Sequence, residues 1–301
     1  MRHLKFLGIL LTGLLTAQLL YAGAGTTGAV VLKESIGARA TAMGDAYVGI
    51  ASGADAIFWN PAGLAEMKTR EIGAMYLKDV ADIDFETINY VQPLPHGQAV
   101  AIAIERLSAG NLEINYLDGT SRTVNAQSDF VYNAAYAKQI LDNLSAGANF
   151  KLLSSNLAET ETASAYAVDL AVLYKLATVK GLSMGANIQN IGSGIKYISE
   201  TDPLPLNVKV GAAYRTEVKN DVLTVAADFN KPKELSSRVN LGFEYLYNKI
   251  MAFRAGYKIG YDLDTFTAGF GFKIGNYGLD YAFAPKGDLG NNHRLSFSLN
   301  F

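Results

Sequence analysis

"HRLSFSLNF", His293–Phe301, is the stretch whose reading decides the fold. Leu295, Phe297, Leu299 and Phe301 alternate with Arg294, Ser296, Ser298 and Asn300. Strict period two is the signature of a strand with one apolar and one polar face. What the apolar face meets, a protein core or lipid, sets the class of the molecule.

The same alternation recurs upstream. Met251, Phe253, Ala255, Tyr257 and Ile259 alternate with Ala252, Arg254, Gly256 and Lys258; Tyr166, Val168, Leu170, Val172 and Tyr174 alternate with Ala167, Asp169 and Ala171. Fourteen strands are predicted, near 69–78, 83–92, 98–107, 127–138, 143–154, 163–175, 181–191, 205–217, 221–229, 236–247, 249–259, 264–274, 276–284 and 291–301. An extra short strand at 111–117 falls in a loop. Runs of about ten residues suit a tilted membrane-crossing strand. The connections sort by parity. "PLPHG", "QILDN", "KLATVKG", "VKN", "YNK" and "GN" are short, while 108–126, 155–162 and 192–204 are long. A barrel whose rims face different compartments shows this sorting, and a soluble sandwich has no reason to. The expected fold is therefore an all-β transmembrane antiparallel barrel with about fourteen strands, over residues 69–301. The apolar face of the final strand then meets outer-membrane lipid, and closure leaves no unpaired backbone edge in hydrocarbon.

Composition narrows the function. The chain has 301 residues, a net charge of −2 and no cysteine. The near-neutral balance gives no attraction to nucleic acid. The absence of thiols excludes disulfides, Cys-ligated metal and thiol catalysis. "MRHLK", the apolar "FLGILLTGLLTAQLL" and the small residues of "YAGAG" read as a secretory signal peptide over 1–22, cut after Ala22 or Ala24. Export then leads to the outer membrane of a diderm bacterium.

Strand parity sends Lys151, Asp169, Lys209, Arg215, Asp228, Arg238, Glu244, Arg254, Lys258 and Asp280 into the lumen. Mixed signs suit mutual pairing and not an ion-selective ring. Gly147, Gly185, Gly211, Gly242, Gly256, Gly269, Gly271 and Gly278 point the same way, giving curvature or room. Residues 23–68 lack strand periodicity, are rich in Ala and Gly, and are expected to plug that room. Within them Trp59, Asn60, Pro61, Ala62 and Gly63 spell a turn: Asn-Pro initiates it and Gly can close it.

Catalysis is not expected. Beyond the signal peptide only His96 and His293 remain, and parity puts His293 outward but Ser296 and Ser298 inward, so no Ser–His pair shares that strand's face. "DGTSRTVNAQSD" reads as a polar loop without the calcium-loop pattern. No cofactor or metal residue is assigned.

Five stretches carry a family resemblance, in order: "GARATAMGDAYVGIASGADAIFWNPAGLA", "SAYAVDLAVLY", "GLSMGANIQNIG", "LPLNVKVGAAYR" and "LDYAFAP…LGNNHRLSFSLNF". With them the chain resembles a PorV/PorQ-type member of the FadL-like outer-membrane superfamily over nearly all of its mature length. The resemblance implies a fourteen-stranded barrel with the N-terminal segment as a hatch in the lumen. PorV-type relatives serve the type IX secretion system and receive secreted cargo proteins. FadL-type relatives pass fatty acids or other small hydrophobic molecules. Against that family the chain is short and its outer loops are trimmed. Leu295, Phe297, Leu299 and Phe301 also resemble the C-terminal signal read by the barrel-assembly machinery.

Overall fold

The computed structural model describes residues 26–79, 82–263 and 265–301; the expected signal peptide lies outside them. The strands are β1 (Glu71–Lys78), β2 (Asp84–Leu94), β3 (Gln98–Ser108), β4 (Asn111–Asn115), β5 (Ser121–Asn125), β6 (Gln127–Leu141), β7 (Leu144–Leu157) and β8 (Glu161–Lys175). They continue with β9 (Leu182–Gly192), β10 (Asn207–Val218), β11 (Asp221–Pro232), β12 (Arg238–Tyr247), β13 (Met251–Ile259), β14 (Phe266–Ile274), β15 (Tyr277–Pro285) and β16 (Asn291–Asn300). Fourteen of these form one closed barrel, and β4 and β5 form a separate hairpin in the loop after β3. Every pairing is antiparallel between chain neighbours, except that β3 skips the hairpin to join β6 and β16 joins β1 to close the cylinder.

Each expected barrel strand is present, with ends moved by a few residues. Two local expectations are corrected. The single strand at 111–117 is half of a hairpin, and "DGTSRTVNAQSD" contains its other half and the start of β6. Pairing decides this: Val124 stands opposite Leu112 and Arg122 opposite Ile114, cross-strand partners that a one-strand reading cannot see. The loop expected at 155–162 shrinks to 158–160, because β7 and β8 continue their ladder to Leu157↔Glu161. One rim thus carries the tight turns 95–97, 142–143, 176–181, 219–220, 248–250 and 275–276, and the other the long connections 109–126 and 193–206.

The burial pattern is inverted relative to a soluble protein. On β3, Val100, Ile102 and Ile104 are exposed while Ala99, Ala101 and Ala103 are buried. On β8, Tyr166, Leu170 and Val172 are exposed and Ala163, Ala165 and Ala167 buried. Leaving one large apolar side chain in water forgoes about 1.5–3 kcal/mol. Several per strand, repeated around the cylinder, would exceed a typical net stability of about 5–15 kcal/mol. Lipid removes that cost, so the exposed belt is a membrane surface and the chain an outer-membrane-type barrel.

At the seam, Glu71↔Asn300 begins a register that runs to Lys78↔His293. Phe301 extends it: its N–H donates to the Arg70 carbonyl and its carbonyl accepts from the Arg70 N–H, while its ring stacks near Tyr90 at 6.5 Å between centroids. Phe301→Arg places a charge at the edge of the apolar belt, where the thermodynamic cost is about 0–1 kcal/mol. We expect the purified variant to be nearly as stable as the wild type, while its outer-membrane level in cells drops several-fold. Wild-type levels of Phe301→Arg in membrane fractions would refute a role for this strand in assembly.

Candidate functional site: the lumen and the N-terminal segment

The described part of the N-terminal segment contains only short helical pieces, Val30–Lys33, Ala38–Ala42, Ala56–Trp59 and Pro61–Glu66. Helices this short do not persist in isolation. They are held by the inner wall, in two different ways.

Against β1–β3 and β6–β8 the contact is apolar. Ile57, Trp59, Leu64 and Ala65 join one buried cluster with Met75, Phe85, Ala101, Ala135 and Ala165. Small inward alanines make room for the large residues of the segment. Against β7 and β9–β14 backbone approaches the wall closely, beside a small apolar cluster of Met43 and Ala46 with Ala213 and Ala226. A Cβ at Gly147 would collide with Pro61 and Ala62, at Gly185 with the Val48 carbonyl, at Gly242 with the Met43 carbonyl and at Gly256 with Gly44. These wall glycines exist for close approach, the second of the two accounts their inward parity allows. Residues 42–49 therefore run along the wall from β14 to β9.

Backbone buried this way must still find hydrogen-bond partners. Asp228 Oδ2 accepts from the N–H groups of Tyr47 and Val48, both at 2.8 Å. Thr267 Oγ1 accepts from Gly44 N–H at 3.0 Å and donates to the Ala42 carbonyl at 3.2 Å. Asn240 Nδ2 donates to the Gly44 carbonyl, and Ser183 Oγ to that of Gly49 at 2.7 Å. The short helix Ala56–Trp59 ends with carbonyls that lack helical partners. Wall amides take three in succession: Asn149 donates to Ile57 at 3.3 Å, Gln189 to Phe58 at 2.8 Å, and Asn187 to Trp59.

Asn60 is fully buried and makes the turn. Its Oδ1 accepts from Ala62 N–H at 3.1 Å, capping the Pro61–Glu66 turn, and its Nδ2 donates to the carbonyls of Val48 and Val172 at 2.9 and 3.0 Å. Pro61 at the first position needs no donor there. Gly63 leaves the Ala51 carbonyl the space a Cβ would take. Its conformational freedom is not used, since it has no positive φ. Trp59 donates its indole N–H to the Ile36 carbonyl at 2.7 Å and meets Tyr47 edge-on at 6.0 Å.

The inward charges take distinct partners. Arg39 makes two 2.8 Å bonds to the Glu244 carboxylate; Glu244 also binds Arg254 at 2.7 Å, and Arg254 binds Asp280 at 2.6 Å. Lys258 binds Asp45 at 2.6 Å and Lys151 binds Asp169 at 2.8 Å. Lys209 lies over the Trp59 ring at 4.5 Å and Arg238 over Tyr261 at 4.2 Å. Arg215 is exposed and lines the cavity near the tight-turn rim. The wall amides were not among the residues singled out in the sequence. Their signal was present, since Asn is disfavoured inside strands and yet Asn133, Asn149, Asn187, Asn230 and Asn240 all recur at buried positions.

Two cavities flank the segment and share no lining residue. One of about 300 Å³ lies towards the tight-turn rim, beside Arg39, Asp55, Glu244 and Arg254. One of about 270 Å³ lies towards the long-loop rim, beside Trp59, Lys209, Arg238, Glu234 and Tyr261. At that rim the start of the segment is tied down. Gly28 N–H donates to the Pro203 carbonyl at 3.1 Å, Thr27 donates to Glu234, and Lys33 binds Glu234 at 2.7 Å. Burial by itself would raise the Glu234 carboxyl, but the bonds from Lys33 and Thr27 outweigh it and hold the group below its ordinary value. His293 meets the Tyr281 hydroxyl outside at 2.7 Å, whereas Ser296 accepts from Ala38 N–H inside at 2.9 Å.

Residues 22–235 match the family described as type IX secretion system protein PorV. A comparison with curated proteins found no match. Among solved structures, the Pseudomonas putida toluene transporter TodX aligns with a TM-score of 0.64 at 15% identity, covering 89% of this chain and 98% of that one. The Ralstonia pickettii toluene transporter TbuX aligns with a TM-score of 0.62 at 16% identity, covering 89% and 99%. A Pseudomonas aeruginosa FadL homologue gives 0.52 at 11% identity, covering 88% and 96%. At these identities the likeness is one of fold.

Asn60→Ala removes one acceptor and two donated bonds from a buried site, and should cost about 1–3 kcal/mol for the groups left unpaired. Gly185→Val should act on the same contact by driving a side chain into the Val48 carbonyl. Both variants are expected to expose residues 27–68 to faster limited proteolysis and to lower the unfolding midpoint. Cleavage at the wild-type rate in both would show that the turn does not anchor the segment.

Proposed function

Because the chain belongs to the PorV family, we propose that this outer-membrane barrel is an accessory of protein secretion and surface attachment of the type IX kind, with its lumen plugged by residues 23–68. The observation that carries the reading is the extent of the family match, which runs unbroken from the N-terminal segment through β11. The plugged lumen is consistent with it. A cylinder of fourteen strands is wider than its own side chains fill, and here glycines, amides and ion pairs hold a segment across that width. A barrel of this kind works through its surface and not as an open pore. Its working surface is the long-loop rim, with the hairpin β4–β5.

The fold of the toluene transporters supports a second reading, a passive conduit for small hydrophobic molecules. The charged lining of both cavities weighs against it, because a hydrophobic solute would have to displace ion-paired and hydrogen-bonded side chains.

Affinity purification from cross-linked cells separates the two. Co-purification with secretion subunits or surface-exported proteins is expected. Stoichiometric hydrophobic molecules in the gently extracted barrel, with no protein partner, would overturn the secretion reading in favour of the conduit. The plug is tested in planar bilayers: the mature protein should show little steady conductance, and a variant lacking residues 23–64 that still inserts should show open-pore steps. Equal, large conductance from both forms would reject the plug.

A further inference from the structure

The cavity towards the long-loop rim holds cations that no carboxylate among the described residues pairs with. Lys33, Lys258 and Lys286 spend their charges on Glu234, Asp45 and Asp79. Lys209 and Arg238 instead lie against aromatic faces, those of Trp59 and Tyr261. A ring face is a weak substitute for an anion: a cation–π contact contributes about 0.5–2 kcal/mol and leaves the N–H donors without acceptors. Arg238 Nε is buried with no hydrogen-bond partner.

Register sets these groups side by side. Lys209 pairs with Asn230 across β10–β11, and Asn230 with Arg238 across β11–β12. Three inward positions on adjacent strands span about 10 Å at the usual inter-strand spacing, a gap two long side chains can close around one small group. A third cation strengthens the case. Arg294 is 4% exposed, lines the same cavity, also leaves its Nε unbonded, and reaches Glu34 only at 3.4 Å. Asp228 spends its Oδ2 on the backbone of Tyr47 and Val48 and does not line the cavity.

We propose that this cavity is a binding site for a small oxyanion, a carboxylate or a phosphate, held between Lys209 and Arg238 above the Trp59 ring. Its volume of about 270 Å³ admits a compact organic acid or a phosphate group with a few waters. Its lining mixes apolar residues such as Val31, Leu32 and Leu235 with charged and amide side chains, and its cations outnumber its acids Glu34, Asp45, Glu105 and Glu234, a balance that suits an anion's oxygens. A planar guanidinium and an ammonium on either side of β11 match the two acceptor oxygens of such a group. The site is independent of whether the barrel serves secretion or transport.

The protein carries its own reporter, because Trp59 is its single tryptophan and lies in contact with Lys209. The mature protein in detergent is titrated with sodium acetate and, separately, sodium phosphate, against sodium chloride at equal ionic strength. A saturable change in Trp59 emission is expected with at least one oxyanion and not with chloride, and the tighter of the two identifies the chemistry. Arg238→Gln should raise the midpoint about tenfold or more, the scale of one charge-assisted bond lost. Lys273→Gln, beside the opposite cavity, should titrate as wild type. If Arg238→Gln does not fold, judged by loss of the mobility shift between boiled and unboiled gel samples, Lys209→Gln takes its place with calorimetry as the readout. No saturable response to either oxyanion in the wild type, or a folded Arg238→Gln (or Lys209→Gln) variant that binds as the wild type does, would overturn the proposal.

Discussion

An irregular chain enclosed by a cylinder in hydrocarbon has little water to satisfy its peptide groups, and that requirement organises the whole interior. The wall answers it with side chains. Asp228 serves two N–H groups, Thr267 serves one N–H and one carbonyl, and Asn149, Gln189 and Asn187 serve three consecutive carbonyls. A ring of inward glycines and alanines then follows as a packing consequence, since side chains cannot reach the backbone of the segment unless the two surfaces approach closely. Outside, the backbone is already paired within the barrel, and large apolar residues cover most of the surface that lipid meets.

The two halves of the wall solve the packing problem with different chemistry. Alanines on β3, β6 and β8 receive Ile57, Leu64 and Trp59. Opposite them, glycines on β9, β10, β12 and β13 receive backbone, and charged pairs such as Arg39–Glu244 and Lys258–Asp45 fill the spaces between. The apolar side supplies adhesion without direction. The polar side supplies direction, because a bidentate guanidinium–carboxylate pair tolerates little rotation. Together they fix one orientation of a segment whose helices are too short to orient themselves.

How much of this was legible in the sequence follows from the kind of force involved. Period two was visible because lipid on one side and lumen on the other impose opposite demands on successive residues. That contrast places every barrel strand and sends Glu244, Lys258 and Gly185 inward. The hairpin β4–β5 was half missed, because its pairing lies outside the barrel and its residues face water on most sides. The partners inside the lumen were not legible. Parity says that Asn149 and Asp228 point inward, but which peptide group each one meets depends on how a non-periodic segment folds around the inside of the wall. "NPAG" announced a turn, and its chemistry announced neither Val48 nor Val172 as the carbonyls Asn60 would hold.

The segment enters at one rim and leaves at the other. Thr27 and Gly28 are tied to the long-loop residues Glu234 and Pro203, while Arg70, at its far end, bonds to Phe301 beside the tight turns. Between those points it touches nearly the whole circumference, and β1 and β16, the strands that seal the cylinder, are the first and last of the chain. A closed cylinder cannot admit this segment sideways, and threading it lengthwise would drag charged side chains past a fitted wall. Closing the β1–β16 seam around a segment already seated avoids both obstacles: the last strand then wraps a parcel already inside.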